Sequence, residues 1–438
     1  MKKAVLIAVV LIVLLIFSSI RIQAQDFVKV KGKQFEIGGK RYCFLGTNLW
    51  YGCNLGSLGA GGDRERLVRE LDHLKSLGIS NVRVLGASEG AQFNTVRPSL
   101  QPKPGEYDEE LLKGLDFLLA ELGKRGMYAV IYLNNYWVWS GGMSQYVAWG
   151  ENRDVPNPFK EGNNWDEFMR YSAKFYRNKE ANQQYRIYIE MLVSRINSCS
   201  GLCYRDDPAI MAWQLANEPR PGDGLWGEAN FAVFREWIDE TATFIKVLDP
   251  NHLVSTGNEG TAGSMWSEKL YRDIHRSENI DYMTVHLWIL NWRWYDPLHA
   301  RKTYPKAEKQ ALKYLRQHID FADELGKPLI LEEFGIPRDR HSYFPAATTK
   351  YRDRYFSQIF STIYKNAKQS GPLTGSNFWT WSGEGLPRDP QDARWIDGDP
   401  LTGDPPQEPQ GRNSVFDHDE STLKILRNFA EKMNQLCE

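Results

Sequence analysis

Short apolar runs alternate along this chain with longer segments in which leucines recur every three or four residues. The runs fall at 42–47, 81–85, 128–133, 210–216, 252–256, 282–287, 328–334 and 376–381. Each has the length of a strand, and several are apolar without a break, the pattern of strands buried on both faces. Between them, 64–77 carries Leu67, Leu71 and Leu74 at helical spacing, with Asp63 placed as a cap and Gly78 past the end. Residues 109–125 repeat the theme with Leu111, Leu112, Leu115, Leu118, Leu119 and Leu122 between Asp108 and Gly126. Residues 228–248, 307–325 and 421–435 continue it, and Gly326 closes the second of these. A helix, a glycine and a strand recur in that order, which is how wound α/β chains connect their units. Eight such strands predict an α/β fold, a (β/α)8 TIM barrel with long loops at its C-terminal face.

Two connections are long. Residues 134–164 follow the third strand and are rich in Trp, Tyr, Gly and Asn; 382–414 follow the eighth and are rich in Pro, Gly and Asp. In a parallel barrel both surround the mouth, and long ordered loops of this kind are usually functional. Residues 26–39 read as a small hairpin turning at Gly38-Gly39. Ahead of it, Lys2 and Lys3 precede an apolar stretch from Ala4 to Phe17 and a polar end with Ala24 near a cleavage point. This reads as a secretory signal over 1–25, leaving 26–438 as a single (β/α)8 domain that is secreted or periplasmic and free of the membrane after signal removal.

A formal net charge of -1 over 438 residues offers no basic field for nucleic acid. Export would permit disulfides. Five cysteines allow at most two bridges within the chain. Cys199 and Cys203, around a Ser-Gly-Leu loop, are the first expected pair. Cys43 and Cys53 are the next, unless Cys43 is simply a buried strand residue. Asp389 to Asp404 reads as a solvated loop rather than a calcium site, and no other metal-ligand motif is present.

The fourth strand, with Ile210, Met211, Ala212, Trp213 and Leu215, ends on Asn217-Glu218-Pro219. The seventh ends on Glu332-Glu333-Phe334-Gly335. A carboxylate at the tip of a buried strand is costly unless paired or employed. Two of them, at the active end of a barrel, suit glycosidic bond hydrolysis, which needs an acid at the leaving oxygen and a second carboxylate at the anomeric carbon. Glu218 is expected to be the acid/base, its pKa raised by its surroundings, and Glu333 the nucleophile. By strand alternation Glu332 points to the other face. Arg83 ends the second strand and needs a carboxylate partner, for which Glu333 is the candidate. Asn217 is placed to bind a sugar hydroxyl, and His286, ending the sixth strand, to position substrate or a carboxylate. Trp379 and Trp381 are expected to share one strand face, and Trp50, Tyr51, Trp137, Trp139 and Trp149 lie in loops after the first and third strands. Together they suit a cleft floored by rings that stack on sugars.

These residues resemble glycoside hydrolase family 5, retaining (β/α)8 enzymes whose acid/base follows an Asn. Asn217-Glu218-Pro219 is similar to the family's acid/base motif and Glu333-Phe334-Gly335 to its nucleophile motif. Arg83, His286 and Trp379 match its active-site arginine, histidine and tryptophan platform. Within the family the chain resembles endo-β-1,4-mannanases, through Asn134-Asn135, Ser140-Gly141-Gly142 with Gln145-Tyr146, Trp213 to Arg220, and Asn377-Phe378-Trp379. The resemblance implies endo-hydrolysis of mannan, glucomannan or galactomannan with retention and no cofactor. Another β-glycanase, such as an endoglucanase, is the alternative, and a non-catalytic carbohydrate-binding protein a more distant one. Two departures stand out. The family's Tyr two residues after the histidine, a donor to the nucleophile, is Trp288 here. The mannanase tryptophan after Asn-Asn is Tyr136, with Trp137 next, which shifts the platform by one residue.

Overall fold

The computed structural model describes residues 26–93 and 95–437, so the expected signal over 1–25 lies outside the described residues. The described chain opens with three antiparallel strands, β1 (Lys29–Lys31), β2 (Gln34–Ile37) and β3 (Lys40–Tyr42). Gly38 and Gly39, both at positive φ, turn between β2 and β3, while Gly32, also at positive φ, turns between β1 and β2. Phe35 of β2 is fully buried, with its ring 5.5 Å from that of Tyr282. It packs in one cluster with Tyr128, Met211, Leu253 and Ile330, which lie at the starts of barrel strands. The small sheet therefore plugs one end of the barrel and leaves the other for the site.

Eight parallel strands follow: β4 (Phe44–Asn48), β5 (Asn81–Leu85), β6 (Tyr128–Tyr132), β7 (Ile210–Gln214), β8 (Leu253–Ser255), β9 (Met283–Leu287), β10 (Leu329–Phe334) and β11 (Leu373–Phe378). They pair in the order β8-β7-β6-β5-β4-β11-β10-β9, and a parallel bridge from Ser255 to Tyr282 closes the ring. Every residue in them is buried. The expected (β/α)8 barrel is the observed fold. The glycines after helices Arg64–Ser76, Glu109–Lys124 and Ala300–Leu325, namely Gly78, Gly126 and Gly326, all take positive φ. Asp63 accepts from the Arg66 N–H, and Asp108 from those of Glu110 and Leu111, as capping requires.

The structure differs from the sequence reading in definite places. The eighth strand is Leu373–Phe378 rather than 376–381. Its start is disguised by Gly375, where a Cβ would lie 2.5 Å from the Phe44 ring. The chain then leaves the barrel through a cis Trp379–Thr380 peptide, and Trp381 begins β12 (Trp381–Gly383), which pairs with β13 (Val415–Phe416). Trp379 and Trp381 thus do not share a strand face. The helix expected over 228–248 is two helices, Gly224–Ala229 and Phe231–Leu248, broken at Asn230, whose amide binds the Pro221 carbonyl. The helix expected over 307–325 begins at Ala300 and contains Pro305, a residue that disfavours helix interiors. The long 134–164 connection includes helix Gly142–Glu151. No disulfide joins Cys199 to Cys203 or Cys43 to Cys53. Cys43 lies against Cys437 instead, whose sulfur accepts its backbone N–H at 3.0 Å.

Candidate active site

At the C-terminal ends of the strands lies a cavity of about 540 Å³, lined in part by Glu218, Glu333, Trp288, Trp379, Trp137 and Asn217. Glu218 ends the extension of β7. Its N–H donates to the Gly257 carbonyl, and the preceding Asn217 N–H to that of Asn134, so it is tied to both neighbouring strand ends. It takes a left-handed φ of 49°, which an L-residue adopts at a cost. Pro219 then ends the run, having no N–H to donate.

Glu333 faces Glu218 from β10, and His286 on β9 stands between them. His286 Nδ1 is 2.7 Å from Glu218 Oε1 and 3.3 Å from Glu333 Oε2. One carboxylate oxygen of each glutamate and one ring nitrogen lie within 4.8 Å of one another. Beneath them Arg83 is fully buried, its Nη1 2.5 Å from Glu333 Oε1. The rest of its fork is occupied by Gln214 and Asn217 at 2.8 Å and by Asn48 at 3.1 Å. Its guanidinium lies 4.5 Å from the centroid of the Tyr132 ring. Burial opposes the Arg83 charge, but Glu333 and Glu332 outweigh it and raise its pKa. The partner expected for Arg83 is the one found.

Glu218 departs from expectation. Burial would raise its pKa, but His286 by hydrogen bond and charge, Arg220 by charge and Trp137 by hydrogen bond overcome this and hold it at about 2. Trp137 Nε1 donates to Oε2 at 2.5 Å, and Trp288 Nε1 to Oε1 at 3.1 Å. So Trp288 donates to Glu218 rather than to Glu333. In the same cluster burial would lower the His286 pKa, but the charges of Glu333, Glu218 and Glu332 hold it well above its ordinary range.

Glu332 also departs from expectation. The register between β10 and β9 shifts between Leu331 and Glu333, an irregularity that breaks the two-residue alternation. Glu332 is fully buried inside the barrel, accepting from Gln214 Nε2 at 2.7 and 3.0 Å. Asn217 lines the cavity, with its oxygen held by Arg83 and its amide by Asn135 Oδ1 at 3.1 Å.

Of the aromatic candidates, Trp379 lies 6.0 Å from Trp288 and 6.5 Å from Trp139 between ring centroids, and all three line the cavity. A Cβ on Gly335 would meet the Trp379 carbonyl at 2.3 Å, so this glycine lets the platform approach the nucleophile strand. Trp50 does not line the cavity. It is fully buried and donates to the Gly403 carbonyl at 2.6 Å, which ties down the last long loop. Tyr51 is buried against Glu70, Trp381 packs on His73, and Trp149 packs on Tyr146.

Residues given no role from the sequence complete the walls: Arg220, Glu259, Trp292, Glu408 and Arg412 among them. Arg220 pairs with Glu259 and lies 4.8 Å from the Trp137 ring centroid. Glu259 follows the short strand β8, and burial together with the nearby Glu218 charge raises its pKa to about 7. Glu408 is raised likewise by burial, to about 7. Glu259 carried the same signal as Glu218, a carboxylate just past a buried strand. Glu408 sits in a long Pro-rich loop and carried none.

A family model described as GH family 5 beta-mannosidase-like matches residues 25–438. The chain is 31% identical over 378 residues to the putative mannan endo-1,4-beta-mannosidase 4 of Arabidopsis thaliana, covering 83% of this chain and 85% of that one. It is similar to the glycoside hydrolase family 5 mannosidase from Rhizomucor miehei, with TM-score 0.86, 36% identity, and coverage of 94% of this chain and 98% of that one. A mutant of that mannosidase, in complex with mannosyl-fructose, matches with the same TM-score of 0.86, 36% identity, and coverage of 94% and 98%. On a match that spans nearly the whole sequence, this protein is a glycoside hydrolase and belongs to the β-mannosidase-like members of glycoside hydrolase family 5.

Proposed function

We propose that this protein is an exported, endo-acting β-1,4-mannanase that cleaves mannan-type polysaccharides with retention. The observation that carries the reading is the pair Glu218 and Glu333, whose oxygens approach within 4.8 Å across His286 in one cavity. Retaining glycosidases keep their carboxyls about 5–5.5 Å apart, whereas inverting ones leave about 6.5–9.5 Å for a water. Relatives named mannan endo-1,4-beta-mannosidase, together with a solved relative holding mannosyl-fructose, support the sugar. The basic and apolar pattern of the first 25 residues supports export.

In the first step Glu333 attacks the anomeric carbon while Glu218 protonates the leaving oxygen, and a covalent glycosyl–enzyme forms. In the second, Glu218 takes a proton from water, and the hydroxide displaces Glu333 from the same carbon. Arg83 orients Glu333 and stands as its counter-charge before attack. Trp379, Trp288, Trp139 and Trp137 present ring surface to the bound sugar, and Asn217 presents the amide hydrogen that Asn135 does not take. No step requires a cofactor.

A second reading, release of single sugars from chain ends, is favoured by one feature: Pro405, Gln407, Glu408 and Arg412 wall one side of the cavity, and the solved relative at 36% identity is described as a mannosidase. Product analysis on mannan, glucomannan and cellulose separates the possibilities. Internal cleavage yields oligosaccharides of mixed length early in the reaction, and end-on cleavage yields mannose alone. Equal or greater release from cellulose overturns the mannanase reading. Glu333→Ala is expected to abolish turnover, and retained turnover would overturn the mechanism.

A further inference from the structure

The two-step mechanism assigns no task to Glu332, although it is fully buried beside the reacting groups. Its Oε1 lies 3.5 Å from the Tyr282 hydroxyl, and its Oε2 lies 3.7 Å from Arg83 Nε and 3.9 Å from His286 Nε2. Among the described residues, His286 Nε2 has no hydrogen-bond partner. A lone pair on that nitrogen would face a carboxylate and be repelled; an N–H there is attracted. At the other side of the ring, Nδ1 faces oxygens of two further carboxylates, both acceptors when ionised. The carboxylates on both sides of the ring favour hydrogen on both nitrogens, which makes His286 an imidazolium and Glu218 a carboxylate before substrate binds. A retaining acid, however, must hold a proton when the glycosidic oxygen arrives.

Building on the mechanism above, we infer that His286 supplies this proton to Glu218 and that Glu332 is a positioning residue that holds the proton remaining on Nε2. The Nδ1–H bond breaks, its electron pair stays on nitrogen, and an O–H bond forms on Glu218 Oε1. Neutral imidazole is left with its hydrogen on Nε2, the nitrogen nearer Glu332. Substrate binding drives the transfer, because a sugar that displaces water disfavours a separated charge pair relative to the neutral pair. Glu218 passes the proton to the glycosidic oxygen as the C–O bond breaks. In the second step it takes a proton from water and returns it to Nδ1, so the cycle closes.

The other charged and titratable groups around His286 have partners of their own. Arg83 on β5 is engaged with Glu333 on β10, and Arg220 beyond β7 with Glu259 beyond β8. Tyr282 contacts Glu332, and Glu408 enters from the loop before β13 and is raised in part by Glu333 and Glu218. Glu332 is left as the carboxylate nearest Nε2.

The test is ring-nitrogen NMR of His286 in the full-length protein, together with pH profiles of Glu332→Gln and Glu332→Asp. In the substrate-free wild type at pH 6 both His286 nitrogens are expected to give protonated-type shifts. One unprotonated-type nitrogen overturns the proposal, whether or not any sugar is released. In Glu332→Gln the alkaline limb of kcat/KM is expected to move down by about 1–3 pH units, with KM for mannan changing far less than kcat. Glu332→Asp is expected to restore the limb in part. A Glu332→Gln limb that coincides with the wild type overturns the role of Glu332. If the variants fail to fold, the wild-type NMR decides. Failure of wild-type turnover on mannan bears instead on the mannanase reading.

Discussion

Arg83 and Glu333 meet at 2.5 Å inside the barrel although they are 250 residues apart in the chain. The arginine comes from β5 and the glutamate from β10, two strands that do not pair with each other. Their contact is possible because both side chains point into a closed ring, where opposite walls come within reach. The planar fork of Arg83 is filled by four acceptors at once, Glu333, Gln214, Asn217 and Asn48.

Arg83→Met leaves Glu333 buried without a counter-charge and is expected to destabilise the fold by about 3–5 kcal/mol. Arg83→Lys keeps the charge but cannot satisfy four directions with a single ammonium. It is expected to retain most of the stability and lose about 10²-fold in kcat through misplacement of Glu333. Thermal unfolding and steady-state kinetics on mannan check the two variants side by side.

Acid stability tests the Glu218 cluster. Its carboxyl lies at about 2 in the folded chain against an ordinary 4.5. That difference stabilises the fold by about 3 kcal/mol above the ordinary value. The contribution is lost as pH falls from about 4.5 towards 2. His286, raised in the same contact, acts in the opposite sense: it contributes below its ordinary range and loses the contribution as pH rises through its folded value. Glu218→Gln removes the first effect and leaves the larger part of the second, which Glu333 sets, so its melting temperature is expected to vary less with pH on the acid side than that of the wild type. Parallel pH dependences in the two proteins would contradict the cluster.

Trp50 separates packing from binding. Trp50→Phe removes the hydrogen bond to the Gly403 carbonyl and is expected to cost about 1 kcal/mol in stability. KM for mannan is expected to stay within twofold of the wild type. A large rise in KM with unchanged stability would place Trp50 in the binding surface after all.

Gly335→Ala is expected to damage turnover and to lower the melting temperature as well. Its methyl would sit 2.3 Å from the Trp379 carbonyl and push the platform away from Glu333. KM should rise together with a fall in kcat, while the circular dichroism spectrum stays that of the wild type.

The barrel, its order of elements and the candidate pair Glu218 and Glu333 were legible in the residues alone. Apolar runs bounded by helices with Gly78, Gly126 and Gly326 after them encode local conformation, and a carboxylate at the tip of such a run is visible without knowing its partner. The Arg83–Glu333 pairing followed from the same logic, since a charge inside a closed sheet needs an opposite charge. Glu332 was not legible, because a shift in register against β9 turns a residue that alternation would send outward into the interior. Nor was the partner of Trp288, or the split between Trp379 in the cavity and Trp50 in the packing, because indoles in loops carry no periodicity that reveals their direction. The same holds for the fall of the Glu218 pKa, set by His286 and Trp137 from distant parts of the chain together with Arg220 two residues on. Local hydrophobic pattern determined which segments become strands and helices; closure of those strands into a ring decided which distant side chains share a few ångströms, and the electrostatics of the site depend on those distances.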